Sequence, residues 1–255
     1  MRMTMRVVRL FACLMGLWAA APSAQPARAE QVDLLLVLAV DASGSVSQRR
    51  FDLQRDGYAA AFRNIQVLRA ILSGQHQAIA VTMFQWTGAF LQRPVVPWMI
   101  IKDEVTAEEV AKAIAATERQ LYGGGTSISG AIDYGMALFP KSPHQGDRRV
   151  IDVSGDGSNN SGRSPVAARD DAVRQGATIN GLPILSVEPG LDSYFERFVI
   201  GGDGAFMVTA RNYETFADAI VKKLIAEIAS LPPGSARFAA VVKPEGLILP
   251  EAAGE

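Results

Sequence analysis

The stretch from Leu34 to Ser45 reads LLLVLAVDASGS, and it narrows the folds open to this chain more than any other. Leu34 to Val40 is an unbroken aliphatic run, apolar on both faces. Such a run suits a strand in a sheet covered on both sides, which is the setting of parallel strands. Asp41 closes the run at the strand's carboxyl end, where open α/β sheets place their ligand sites. Asp41, Ser43 and Ser45 alternate and can turn three oxygens toward one point, and Gly44 lets the loop curl tightly. Hard divalent cations take oxygen ligands of this kind. The same residues also suit a polar cap on a following helix. Taken alone, the cap is at least as good a reading.

Two distant stretches shift the balance. Tyr122 to Ser127 is YGGGTS, and Asp152 to Gly157 is DVSGDG. Three glycines let a backbone approach an ion closely and set Thr126 at the entrance of the next helix. Asp156 stands at the end of another strand. The separations of roughly 80 and then roughly 30 residues fit one domain of ordinary size. D-x-S-x-S, a glycine-flanked Thr and a later strand-end Asp, in that order, resemble the metal-ion-dependent adhesion site of von Willebrand factor A domains. The runs GGGTSISGAID and RRVIDVSGDGSNNSG also resemble a bacterial exported group within that superfamily whose function is not established.

The resemblance implies that Asp41, Ser43, Ser45, Thr126 and Asp156 hold a divalent metal. Mg²⁺ is the expected ion, with Mn²⁺ or Ca²⁺ as alternatives. In the family the hydroxyls tend to touch the metal directly, and the two carboxylates often act through water. An ion held mainly by neutral oxygens keeps much of its charge, so the expected ligand is an Asp or Glu of a protein partner. The implied fold is α/β and Rossmann-like. Its doubly wound, mostly parallel sheet has one antiparallel edge strand and helices on both faces, and the first and fourth long strands are neighbours.

The alternation of strands and helices along the chain argues independently for a parallel sheet between helix layers. Ser47 to Leu72 is helical in pattern with a break near Asn64, and Ala78 to Phe84 reads as a strand. Ala89 to Gln92 is expected as the antiparallel edge strand, with Pro94 and Pro97 limiting further pairing. Thr106 is expected to start a helix. Ile128, Ile132, Met136 and Phe139 form an apolar helix face. Arg148 to Val153, Thr178 to Val187 and Ala205 to Val208 read as strands. Pro165 to Gln175, Tyr194 to Phe198 and Asn212 to Ala229 read as helices, the last with Phe216, Ile220, Leu224 and Ile228 on one stripe.

Residues 1–29 read as a secretory signal. Arg2, Arg6 and Arg9 precede an apolar stretch from Leu10 to Ala21, and Ala27-Arg28-Ala29 supplies the small residues of a cleavage site. Cleavage near Ala29 would remove Cys13, the single cysteine, and leave 21 basic against 26 acidic residues. The expected mature chain is then mildly acidic, periplasmic or secreted, and free of thiol chemistry. Nothing in that charge balance calls for nucleic acid, and no later segment is long and apolar enough to span a bilayer. Residues 30–230 form the expected domain, and 231–255, rich in Pro, Gly and Ala, a loosely packed tail.

An enzyme is the weaker reading. A phosphatase of the haloacid type needs a second Asp two residues after the first, and Ser43 stands there. No G-x-S-x-G occurs for a serine hydrolase. His76 and His144, the two histidines, read as surface loop residues rather than bases. The run DVSGDG resembles an EF-hand start, but its twelfth position is Arg163 where Glu is required. A metal-dependent hydrolase, or a domain that keeps these residues for capping alone and binds no metal, remain the competing expectations.

Overall fold

The computed structural model describes residues 29–229. The expected secretory leader, apart from Ala29, and the expected tail from 231 onward lie outside the described residues. The elements run β1 (Gln31–Asp41), α1 (Gln48–Arg63), α2 (Ile65–Leu72), β2 (Ile79–Trp86), β3 (Gln92–Ile101), α3 (Glu104–Ala115), α4 (Ile128–Met136), β4 (Gln145–Gly155), α5 (Pro165–Arg174), β5 (Thr178–Pro183), α6 (Leu191–Phe198) and α7 (Phe216–Ala229).

The five strands pair in the order β3-β2-β1-β4-β5. β1 lies parallel to β2 and β4, β4 is parallel to β5, and only β3 is antiparallel. This is the doubly wound, mostly parallel sheet with one antiparallel edge that the sequence predicts. β1 shows why its sequence does not alternate. Leu34, Leu36, Leu38 and Val40 join one core with Phe51, Tyr58, Phe62 and Phe216, whereas Leu35, Val37 and Ala39 join a second with Ile128, Ile132 and Phe195. Both faces of the strand are dry, so period-2 pleating sorts the apolar side chains without leaving a polar face. Because β1 and β4 are adjacent and their outward crossovers diverge, a crevice opens beyond their carboxyl ends.

One boundary falls where the sequence places it, and several others differ. The α1–α2 break falls at Asn64, which ends the first helix and caps the second by accepting from Gln66 N at 2.8 Å. β3 begins only at Gln92, where the expected strand ends. Gly88 to Leu91 form a tight turn, closed by Leu91 N to Gly88 O at 3.1 Å, and β3 then runs through both Pro94 and Pro97. An edge strand has one side without a partner, so a residue lacking N–H is tolerated there. The pairing with β2 shifts register between Val81 and Met83 and again before Phe84.

α3 starts at Glu104 rather than Thr106. Asp103 is its N-cap, and Thr106 is the third helical residue of a capping box. β5 stops at Pro183, short of Val187. Residues 205–208 are not a strand; that segment meets β5 through an isolated bridge from Gly181 to Met207 and a hydrogen bond from Phe206 N to Asn180 Oδ1 at 2.9 Å. α7 begins at Phe216, because Asn212 and Thr215 fold into a turn in which Thr215 N donates to Asn212 Oδ1 at 3.0 Å. The stripe Phe216, Ile220, Leu224 and Ile228 is buried as expected.

Candidate metal centre at the carboxyl end of the sheet

Asp41 ends β1 with its side chain wholly buried. Its Oδ1 accepts Ser43 N at 2.7 Å, and its Oδ2 accepts Asp156 N at 3.4 Å. Ser43 Oγ lies 3.2 Å from Ser45 Oγ, and Ser45 Oγ donates to Asp156 Oδ1 at 2.5 Å. Asp41, Ser43, Ser45 and Asp156 therefore form one hydrogen-bonded set across the ends of β1 and β4. Gly155 allows the approach: a Cβ there would sit 3.1 Å from Asp41 Oδ2 and 3.3 Å from the Trp86 ring.

Thr126 lies on the loop that flanks this set, with no hydrogen bond to it among the described residues. Gly44 N donates to Gly124 O at 3.4 Å, which ties the glycine run to the first loop. On its other flank, Thr126 N donates to Asn160 Oδ1 at 2.8 Å, and Thr126 O accepts from Asn160 N at 2.9 Å. The Thr126 hydroxyl lies 3.6 Å from where a side chain at Gly157 would begin, one residue from Asp156. The glycine run is pinned from below by Thr87, whose hydroxyl bonds Gly123 O and Gly125 O at 2.8 and 2.9 Å. Gly123 and Gly124 have φ of 77° and 88°, a region open chiefly to glycine.

Sequence reasoning did not single out four other side chains at the site. Tyr213 OH donates to Asp156 Oδ2 at 2.8 Å. Arg50 donates to Ser45 O at 2.7 Å, stacks over the Tyr213 ring at 5.3 Å, and brings its guanidinium to 3.6 Å from Asp156 Oδ2. Gln54 donates to Asp41 O at 3.2 Å. Arg119 donates to the carbonyls of Ala42 and Ser43 at 3.3 and 3.2 Å. Tyr213 and Arg119 come from segments remote in sequence from the loops they serve, whereas Arg50 and Gln54 lie on α1, the next helix after Ser45, and turn back onto the preceding loop, which helical pattern alone does not signal.

Burial, and then the charge of Asp156, push the Asp41 carboxyl up to about 7, against the hydrogen bonds from Ser43. Burial and the same Asp156 charge raise the Tyr213 phenol as well. Two buried carboxylates thus face a single guanidinium, and that group is one-third exposed. The donors around them are hydroxyl and carboxylate oxygens only, the set that hard cations prefer. An ion among them would offset the repulsion that raises Asp41, so the residues present fit a divalent metal.

Other candidate residues sort away from this crevice. Asp152, expected as a structural partner inside its strand, faces α7. Its Oδ1 is 2.8 Å from Lys223 Nζ, an ion pair by distance without hydrogen-bond alignment. Lys223 Nζ also donates to Glu227 Oε2 at 3.0 Å, and Asn180 donates to Glu227 Oε1 at 2.9 Å. Arg163, which stands where an EF-hand would need Glu, instead pairs with Asp133 and Asp171. His76 and His144 precede β2 and β4, at the opposite end of these parallel strands from Asp41. There Asp33, His76 and Asp147 bring one ligand atom each within 4.8 Å of one another, a second arrangement able to hold a metal ion. Its donors are already engaged: Asp33 Oδ1 accepts His76 N at 2.9 Å, and His76 Nε2 is 3.1 Å from Asp147 Oδ2.

The model of a family described as "Protein of unknown function (DUF1194)" matches residues 31–232. No curated protein matches the chain. Among solved structures, proximal thread matrix protein 1 from the mussel byssus, with a zinc-occupied MIDAS motif, is similar at 13% identity and a TM-score of 0.54, over 79% of this chain and 49% of that one. A von Willebrand factor type A structure from Catenulispora acidiphila is similar at 15% identity and a TM-score of 0.50, over 78% of this chain and 43% of that one. The pilus adhesin SpaC from Lactobacillus rhamnosus GG is similar at 13% identity and a TM-score of 0.56, over 79% of this chain and 31% of that one. The chain spans less than half the length of each. At such identities the likeness establishes the fold, which is that of von Willebrand factor A domains.

Proposed function

We propose, for a chain that belongs to the DUF1194 family of proteins of unknown function, a role as an exported binding module that holds an acidic side chain of a protein partner through a bound divalent cation. One observation carries this reading. Asp41 and Asp156 are both wholly buried at a strand-end crevice, ringed by hydroxyls, with no buried cation among the described residues to balance them. Ser43, Ser45, Thr126 and the two carboxylates would hold the ion, with Mg²⁺ favoured and Mn²⁺ or Ca²⁺ as alternatives. A cation held largely by neutral hydroxyls would retain charge to offer to a carboxylate from outside.

The chain's own residues set that geometry. Tyr213 and Arg50 fix Asp156, Gln54 fixes the end of β1, and Thr87 and Asn160 hold the Thr126 loop. Among the described residues both histidines lie at the other end of the sheet, so the crevice has no imidazole to activate water; that favours binding over hydrolysis. The adhesin and the mussel thread protein among the structural neighbours support a protein partner and a metal-occupied site. The leader supports export, with a mature domain of residues 30–230 in the periplasm or outside the cell. Among the described residues no helix is long and apolar enough to cross a membrane.

Calorimetric titration with Mg²⁺ tests the reading. Binding at one site, lost in Asp41→Ala, is the expected result. Equal affinity in wild type and Asp41→Ala would remove it.

A further inference from the structure

The crevice has a rim, and the rim is apolar on one side. β2 ends with Trp86 paired beside Asp41, and the turn from Gly88 to Leu91 follows at once. Phe90 at the tip of that turn is 94% exposed, and Leu91 is half exposed. Tyr122, which opens the glycine run leading to Thr126, is 71% exposed. Single exposed apolar residues are ordinary. Here the two most exposed aromatic side chains in the described chain stand on two loops that both border one candidate site.

Those loops are held in place. Thr87 bonds the glycine run through its hydroxyl, and Ser127 N donates to Thr87 O at 2.9 Å. Ala89, next to Phe90, packs so closely on the neighbouring loops that a Cβ at Gly162 would lie 3.1 Å from its own Cβ. An aromatic side chain on a held backbone has few torsions to order when it is covered, so it suits recognition. Two cations flank the same opening. Arg119 lies 4.9 Å over the Tyr122 ring while holding the Ala42 and Ser43 carbonyls, and Arg50 stands beside Asp156.

Resting on the proposed function, we infer that the partner presents a short acidic segment in which the metal-seeking Asp or Glu has an aromatic or aliphatic neighbour that lands on Phe90, Leu91 and Tyr122. The charge supports this choice of occupant. Arg50 and Arg119 favour an acidic segment and disfavour a basic one. The apolar side of the rim gains from covering a hydrophobic side chain, which a carboxylate alone cannot supply. The metal position then sets the requirement for an acid, and the rim selects among acids.

The test uses an array of synthetic nonapeptides with a central Asp or Glu and Phe, Leu, Ala or Lys placed two or three residues to either side. Labelled protein is applied in Mg²⁺ and again in chelator. Peptides with Phe or Leu are expected to bind roughly five- to tenfold above those with Ala, in Mg²⁺ only, and those with Lys below both. Phe90→Ser with Tyr122→Ser should erase the Phe and Leu preference and leave Mg²⁺ affinity by calorimetry and the residual acid binding unchanged. Phe90→Ser alone, which leaves Tyr122 beneath Arg119, should reduce the preference. Mg²⁺-dependent binding of all acidic peptides alike, or a preference that survives both substitutions, overturns the inference and leaves the metal-dependent function standing. Absence of Mg²⁺-dependent binding to every peptide overturns the function, and the inference falls with it.

Discussion

Two buried acidic groups, Asp152 within β4 and Asp156 just past its end, are only four residues apart in sequence, and they are balanced in opposite ways. Asp152, in the middle of the strand, shares its surroundings with Glu227, and the fully buried ammonium of Lys223 contacts both. Asp156, at the strand's end, shares its surroundings with Asp41, and the nearest cation is the partly exposed Arg50. The first group carries its own counter-charge inside the fold. The second has only the partly exposed Arg50 beside it. Burial would pull the Lys223 ammonium down, yet Asp152 and Glu227 more than offset it and raise its pKa. Burial pushes Asp152 upward, with Lys223 acting against it. That is a structural ion cluster in equilibrium with itself. Asp41 is pushed up to about 7 just as Asp152 is, but what opposes its rise is hydrogen bonding from Ser43 and from Asp156 N, with no buried cation beside it among the described residues. A raised carboxyl of that kind at the edge of a crevice marks a candidate ligand site.

The sharpest way to break this comparison is to remove the internal cation. Lys223→Met leaves Asp152 and Glu227 buried without a counter-charge, and should lower stability by about 3–5 kcal/mol, read by urea denaturation. Asp41→Asn removes one of two repelling carboxylates and should leave the chelated protein at least as stable as wild type. If Lys223→Met were no more costly than Asp41→Asn, the two clusters would not differ in the way described.

A second, smaller effect comes from pH. Asp41 has a folded value of about 7 against an ordinary 3.8. The folded state therefore holds this proton more tightly than the unfolded chain. The resulting stability is fully present below the ordinary value and is lost as pH rises toward about 7. Between pH 4 and pH 8 in chelator, melting should show a decline with an upper bound of about 4 kcal/mol from this group, flattened in Asp41→Asn. Mg²⁺ should restore stability at pH 8 and do little at pH 4, because proton and metal compete for the same oxygens. A decline identical in wild type and Asp41→Asn would assign the pH dependence to other groups.

The parts of the molecule that the sequence announces are those where local pattern and tertiary role coincide. β1 is legible because both its faces are buried. The motif oxygens are legible because Asp41 and Asp156 end strands and Thr126 follows three glycines. Lys223 and Glu227 are four apart on a helix, the spacing of an ordinary solvent-facing ion pair, and only the crossing of α7 over β4 turns that pair inward. Tyr213 and Thr87 meet the site through chain separations that no window covers, as does Arg50 in its approach to Asp156. Phe90 was hidden by its context, since an apolar residue after a strand and a Gly reads as the next strand. The prolines misled for a related reason: they forbid pairing on one side of a strand, and β3 has a free side.

The smallest predicted effect bears on how tightly the outer cluster is built. Tyr213 reaches Asp156 from the turn that precedes α7, and its hydroxyl and Arg50 converge on the same carboxylate oxygen. Tyr213→Phe keeps the ring, and with it the contact beneath Arg50, and removes only the donor. The loss should be about 1 kcal/mol in the chelated protein, because Arg50 remains to satisfy Asp156. With Mg²⁺ bound, the same substitution should weaken metal affinity by less than about tenfold, since it loosens the carboxylate's orientation without removing a ligand. A much larger loss of Mg²⁺ binding would mean that Asp156 depends on α7 for its position. The outer cluster would then be as tightly tied to that helix as Asp152 is through Lys223, and the contrast between a self-balanced core and an open rim would narrow to a difference in charge alone.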